Sequence, residues 1–182
     1  RWGAGIAAHG DGVLGGKDFS YDVLVANGEQ EEANPFEEDE NSAKSLTARL
    51  RVDVTEKLRV GYSFYRDRLS SATYDTLQSH GLEAELILPR LRILGEVAIG
   101  TLDFAAGGSQ RQLGWYIQPS YHLNRGFTPY LRYEYVNPNR DEEELWGQDL
   151  IIGLNVEMSK NFQLKLENNA FKGGTKSSLA QY

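Results

Sequence analysis

Along much of this chain, apolar and polar residues alternate one by one. In the run Asp149–Met158, Leu150, Ile152, Leu154, Val156 and Met158 fall on one face of an extended chain, and Gly153, Asn155 and Glu157 on the other. A period of two gives one apolar and one polar surface only in a β-strand; a helix would scatter these positions around its circumference. The pattern recurs. Leu46, Ala48, Leu50, Val52 and Val54 oppose Thr47, Arg49, Arg51 and Asp53, while Leu58, Val60, Tyr62 and Phe64 oppose Arg59, Gly61 and Ser63. Leu82, Ala84, Leu86 and Leu88 oppose Glu83 and Glu85, and Leu164 and Leu166 oppose Gln163, Lys165 and Glu167.

Read this way, the chain predicts about ten strands and a stub. They cover Trp2–His9, Phe19–Ala26, Ser45–Val54, Leu58–Arg66, Gln78–Leu88, Leu91–Leu102, Gln112–Leu123, Thr128–Val136, Gln148–Met158 and Phe162–Phe171, with Ser177–Tyr182 entering a further strand. The first turn carries Gly10, Gly12, Gly15 and Gly16. Short connections at Thr55–Lys57, Pro89–Arg90, Asn124–Gly126 and Ser159–Lys160 alternate with longer ones at Asn27–Ser42, Asp67–Thr76, Asp103–Gln110 and Asn137–Trp146. An up-and-down meander whose two rims differ in job gives that order, whereas a sandwich with Greek-key crossings has no reason to keep it. Strands of roughly 9–11 residues, apolar outside and polar inside, are also what a transmembrane β-barrel needs. The expected fold is therefore all-β, an antiparallel up-and-down transmembrane β-barrel. Residues 1–182 read as a single barrel segment, incomplete at both ends, because Arg1 and Trp2 already lie within a strand pattern and Ser177–Tyr182 enters another strand without finishing it; no leader is visible, and an exported barrel would have had one removed.

Composition narrows this reading without overturning it. The chain is 40% hydrophobic and 25% charged, with a mean hydropathy of −0.50. No stretch approaches the roughly 18–20 apolar residues of a spanning helix, so a helical membrane protein is excluded. A barrel tolerates a hydrophilic average because only one face of each strand meets lipid. Ten tyrosines, three tryptophans and nineteen glycines suit aromatic girdles and a crowded lumen. They would equally suit a soluble β-protein, and alternation alone does not separate inside from outside. What favours an apolar exterior is the number of strands, together with Phe19, Tyr21, Tyr62, Phe64, Trp115, Tyr121, Tyr133, Tyr135 and Phe162 on the apolar face, many near strand ends. The absence of cysteine excludes disulfides, iron–sulfur clusters and thiolate metal sites. A net charge of −7 argues against a nucleic-acid partner.

No catalytic constellation, metal site or cofactor site stands out. His9, His80 and His122 fall in different predicted strands and are expected on the polar side. Ser120, His122 and Asn155 are the nearest approach to a hydrolase set across strands, and the signal is weak. The charges expected on the inner face carry more meaning. They are Arg49, Arg51, Arg59, Arg92, Arg132 and Lys165, beside Asp22, Asp53, Glu83, Glu85, Glu96, Glu134, Glu157 and Glu167. Such charges hydrate a pore and set its ion preference, or satisfy one another across strands, with Glu83 and Glu85 expected beside Arg59 and Lys165 beside Glu157. A dry core would not hold so many ionised groups on one face. A wet lumen does.

The stretches Phe19–Gly28 (FSYDVLVANG), Leu113–Leu123 (LGWYIQPSYHL), Thr128–Val136 (TPYLRYEYV) and Ile151–Leu166 (IIGLNVEMSKNFQLKL) resemble the Gram-negative porins related to the phosphate- and polyphosphate-selective family. The resemblance implies a homotrimeric outer-membrane barrel of about sixteen strands, with this chain as its C-terminal part, passing small hydrophilic solutes or ions. That family's anion selectivity uses a dense basic lumen; here the lumen mixes signs with an acidic excess. The barrel and passive permeation carry over, and the phosphate substrate does not. The rival expectations are a non-conducting structural barrel that scaffolds or encloses another envelope protein, an outer-membrane barrel enzyme, and a soluble β-protein.

Overall fold

The structure is a computed structural model and describes residues 5–27, 44–69, 73–123, 126–142 and 145–173. Ten strands follow in chain order: β1 (Gly5–Leu14), β2 (Lys17–Asn27), β3 (Lys44–Thr55), β4 (Leu58–Arg68), β5 (Tyr74–Ile87), β6 (Leu91–Phe104), β7 (Ser109–Tyr121), β8 (Phe127–Asn137), β9 (Gly147–Ser159) and β10 (Phe162–Gly173). They form one sheet in which each strand pairs with the next, always antiparallel. The all-β, up-and-down expectation holds. Among the described residues β1 and β10 are the outer strands, with no ladder between them. Trp2, most of the long acidic loop and the stub at Ser177–Tyr182 lie outside the described residues.

Two expectations about strand ends need correction. Gly10 and Gly12 belong to β1 and not to its turn, where they pair with Tyr21 and Phe19. A Cβ on Gly12 would lie 2.7 Å from the Phe19 ring, and one on Gly10 would lie 3.0 Å from the Tyr21 ring. Each glycine thus gives its cross-strand aromatic room to lean over the backbone. Only Gly15 and Gly16 make the turn, at φ 59° and 75°, the paired positive values of the two-residue hairpin whose twist matches its strands.

The strict short–long alternation also fails at one place. β6 and β7 run further than expected, so their connection shrinks to Ala105–Gly108, while the next one spans residues 122–126. Gly107 and Gly108, at φ 93° and 94°, close the former tightly. At two other short turns, β3–β4 and β9–β10, hydroxyls take over. Thr55 Oγ1 accepts from the backbone N–H of Lys57 (3.2 Å) and Leu58 (3.0 Å), and Ser159 Oγ from that of Asn161 (3.3 Å).

Register sorts the side chains into rows. Tyr21, Leu50, Tyr62, Leu82, Val97, Trp115 and Tyr135 stand side by side across β2 to β8. The adjacent row, on the opposite face, reads Ser20, Arg51, Gly61, Glu83, Glu96, Tyr116, Glu134 and Asp149. Shelter falls mainly on the charged face. The buried residues Ala26, Ser45, Asp67, Glu85, Tyr130 and Ile151 all belong to the charged face, whereas Leu82, Ile152 and Leu166 of the apolar face are 60%, 59% and 53% exposed. A single-layer sheet has no second layer to bury an apolar face against.

Candidate functional site

Period-two alternation and strand pairing place Arg49, Arg51, Arg59, Glu83, Glu85, Arg92, Glu96, Arg132, Glu134, Glu157, Lys165 and Glu167 on one face, from β3 to β10. Most of them meet in four groups. In the first, Arg49 grips both oxygens of Glu83, with Nε at 3.2 Å from Oε1 and Nη2 on Oε2. Arg51 Nε adds an ion pair at 3.9 Å. Arg49 lies on β3 and Glu83 on β5, so the contact spans β4. It is possible because Gly61 lies between Arg51 and Glu83 in register; a Cβ there would come within 2.6 Å of Glu83 Cγ.

The second group is a chain of alternating charge over four strands. Asp53 accepts from Arg59 Nε at 2.6 Å and Nη2 at 3.1 Å, Arg59 Nη1 lies 3.7 Å from Glu85 Oε2, and Arg92 donates to Glu85 Oε1. Glu85 is only 6% exposed, so this pairing supplies what bulk water no longer does.

The third group is less balanced. Glu96 stands directly opposite Glu83 and Tyr116, and Glu134 opposite Tyr116 and Asp149. Carboxylates placed opposite one another repel. Arg132 relieves one end, pairing with Glu134 at 2.7 Å while its guanidinium lies 4.1 Å above the Tyr116 ring. The fourth group repeats the first in its construction. Tyr130 leans across Gly153 to donate its hydroxyl to Glu167, and Lys165 meets Glu167 at 2.8 Å with its ammonium 5.6 Å from the Tyr130 ring.

Glu83 and Glu85 flank Arg59 as expected, but Lys165 does not pair with Glu157. A register shift at Phe162/Gln163 sets Gln163 opposite Glu157 and Lys165 opposite Asn155, leaving Glu157 without an ion pair to the described residues. His80 is also misplaced by the sequence reading. It lies on the apolar face, with its ring 5.2 Å from that of Phe64, Nδ1 2.6 Å from the Tyr62 hydroxyl and Nε2 2.8 Å from the Gln78 amide. Ser120 and His122 do not bond to each other. Ser120 donates to the Arg92 carbonyl at 3.2 Å, and His122 Nδ1 lies 3.1 Å from Thr128 Oγ1. Among the described residues no acidic or histidine cluster is arranged to hold a metal ion.

Sequence reasoning placed Gly61 and Gly153 on this face without their role as crossing points, and did not single out Tyr116, Tyr130 or Asp149. Their parity was readable; their role depends on which strand lies two away. Comparison with family models, curated proteins and solved structures finds no match to this chain.

Proposed function

We propose that this chain is part of the wall of an outer-membrane porin, a β-barrel whose water-filled lumen lets small hydrophilic solutes or ions diffuse passively. The observation that carries this reading is the inverted distribution of shelter: ionised groups lie on the sheltered face and aliphatic ones face outward. In water such a sheet would expose a large apolar surface; in lipid that surface is solvated, and the charged face needs water instead. The dimensions agree. The apolar stripe Leu150–Met158 of β9 rises about 30 Å along the strand, or about 20–25 Å along the membrane normal at a tilt of 35–45°.

Hydrocarbon does not hydrogen-bond to a free strand edge, so the proposal requires the edges of β1 and β10 to be paired, with each other or with further strands. The outer membrane, a homotrimer and about sixteen strands follow from the resemblance to phosphate-selective porins and belong to the same proposal. The partners are outer-membrane lipid around the apolar face and the permeating solutes within. Neutralisation of Asp53, Arg59, Glu85 and Arg92 by one another favours, as a second reading, a non-conducting structural barrel.

The test is single-channel recording of the full chain in a planar bilayer under a salt gradient. Stable open steps are expected, with a reversal potential whose sign reports whether acidic or basic groups dominate the lumen. Folded protein that inserts and never conducts would overturn the porin reading in favour of the structural barrel.

A further inference from the structure

The apolar face ends differently at the two rims. At the rim of the two-residue turns it runs out in Leu58, Leu86, Leu91, Tyr121, Phe127, Met158 and Phe162. Lys17, a cation at that end, is folded onto the carbonyl of Val54. At the opposite rim the same face turns to donors. Arg66 of β4 stands opposite Leu46 and Gln78, Gln78 opposite Thr101, and Thr101 opposite Arg111 of β7. Lys44 of β3 and Arg68 of β4 lie further toward the rim.

These cations are not equally available. Arg111 is engaged by Asp141 at 2.8 Å, Arg68 lies 3.6 Å from Asp75, and Lys44 donates to Asn27 at 2.9 Å. Asp103 shares the face but stands on β6, opposite Thr76. Arg66 is exposed and makes no ion pair with the described residues. Directly below it, the exposed surfaces of Leu46, Leu50, Tyr62 and Leu82 continue down the sheet. Gln78 Nε2 lies 2.8 Å from His80 Nε2, and the Tyr62 hydroxyl lies 2.6 Å from His80 Nδ1.

We infer that the outer surface of β3 and β4 at this rim, centred on Arg66 and flanked by Lys44, is a binding site for the phosphate of a membrane lipid headgroup. The inference rests on the membrane reading above. A guanidinium matches a phosphate with two parallel hydrogen bonds, and its aliphatic stem lies along apolar surface while the head stays at headgroup depth. The strip from Leu46 to Leu82 gives acyl chains a bed directly beneath the charge. That continuity selects a lipid over free phosphate.

The experiment uses the full chain in detergent micelles mixed with phosphatidic acid or phosphatidylcholine, with retained lipid counted by native mass spectrometry. Insertion of the same protein into vesicles of the two lipids is followed in parallel by protease protection. Arg66→Gln is expected to lower phosphatidic-acid retention about fivefold, the worth of one basic residue at an anionic membrane surface, and Lys44→Gln with Arg66→Gln about twentyfold. Arg90→Gln, at the other rim, is expected to change nothing. Inserted protein whose retention is the same in every variant would overturn this inference and leave the membrane reading standing. Failure to insert would overturn both. Inorganic phosphate that binds without lipid, and is lost in Arg66→Gln, would overturn the lipid as the source.

Discussion

Gly61 and Gly153 decide more of the charged face than their size suggests. Each sits in the middle strand of three and lets a long side chain cross to a partner two strands away: Glu83 to Arg49 over Gly61, and Tyr130 to Glu167 over Gly153. Without a Cβ in the way, charges that adjacent-strand pairing would leave apart become neighbours. Glu83 accepts hydrogen bonds from Arg49 and forms an ion pair with Arg51, so Glu83→Gln should leave both without their carboxylate. The expected cost is about 1–3 kcal/mol of stability, toward the lower end because Arg49 is part-exposed. In the proposed channel the reversal potential should move toward anion preference. Equilibrium unfolding together with bilayer recording checks both, and an unchanged potential would remove Glu83 from the ion path.

At the scale of elements, the connection between β8 and β9 is tied back to β7. The backbone N–H of Asn139 donates to Asn137 Oδ1 at 3.0 Å and that of Asp141 to Asn139 Oδ1 at 3.1 Å, two consecutive Asx turns. Arg140 N–H then donates to the Arg111 carbonyl at 2.8 Å, and the Arg111 guanidinium bonds Asp141 at 2.8 Å. That bond, more than the nearby charge of Arg140, holds the Asp141 carboxyl below its ordinary range. A lowered folded-state pKa means the tether contributes fully above the unfolded value and is lost as pH falls through the folded one. Hydrogen exchange at the Arg140 amide, corrected for intrinsic rates, should therefore keep its protection above about pH 5 and lose it progressively below about pH 4. In Asp141→Asn the protection should be lower at neutral pH and flat with pH. Identical profiles for the two proteins would show that the ion pair does not hold the loop.

For the whole molecule the informative contrast is between solvents. Leu82 lies in the middle of the apolar face and Leu58 at the turn rim of the same face. In a bilayer Leu82→Arg should cost about 2–4 kcal/mol and Leu58→Arg about 0–1 kcal/mol, because the penalty for charge depends on depth. In water Leu82→Arg, at a position 60% exposed, should fall within about 0.5 kcal/mol of the parent. Denaturant unfolding from lipid vesicles distinguishes the cases, and equal costs at both positions would sink the transmembrane reading.

Strand identity and the face of most residues were legible because side-chain direction in a strand is a parity property, set by chemistry one and two residues away. Leu150 to Met158 needed no partner to declare a surface. Parity fails where both faces turn polar, which is why the pattern alone puts His80, next to Gln78 and Ser79, on the wrong side. Gly10 and Gly12 read as turn because a glycine shielded by a cross-strand ring looks, in one dimension, like a glycine at a bend. The chain by itself determined the meander, its direction and the separation of charge from aliphatic surface, all of which follow from local alternation and short connections. Only the tertiary structure decided which carboxylate meets which cation. Register across three strands, a bulge at Phe162/Gln163 and the missing Cβ of Gly61 act over distances that no sequence period encodes.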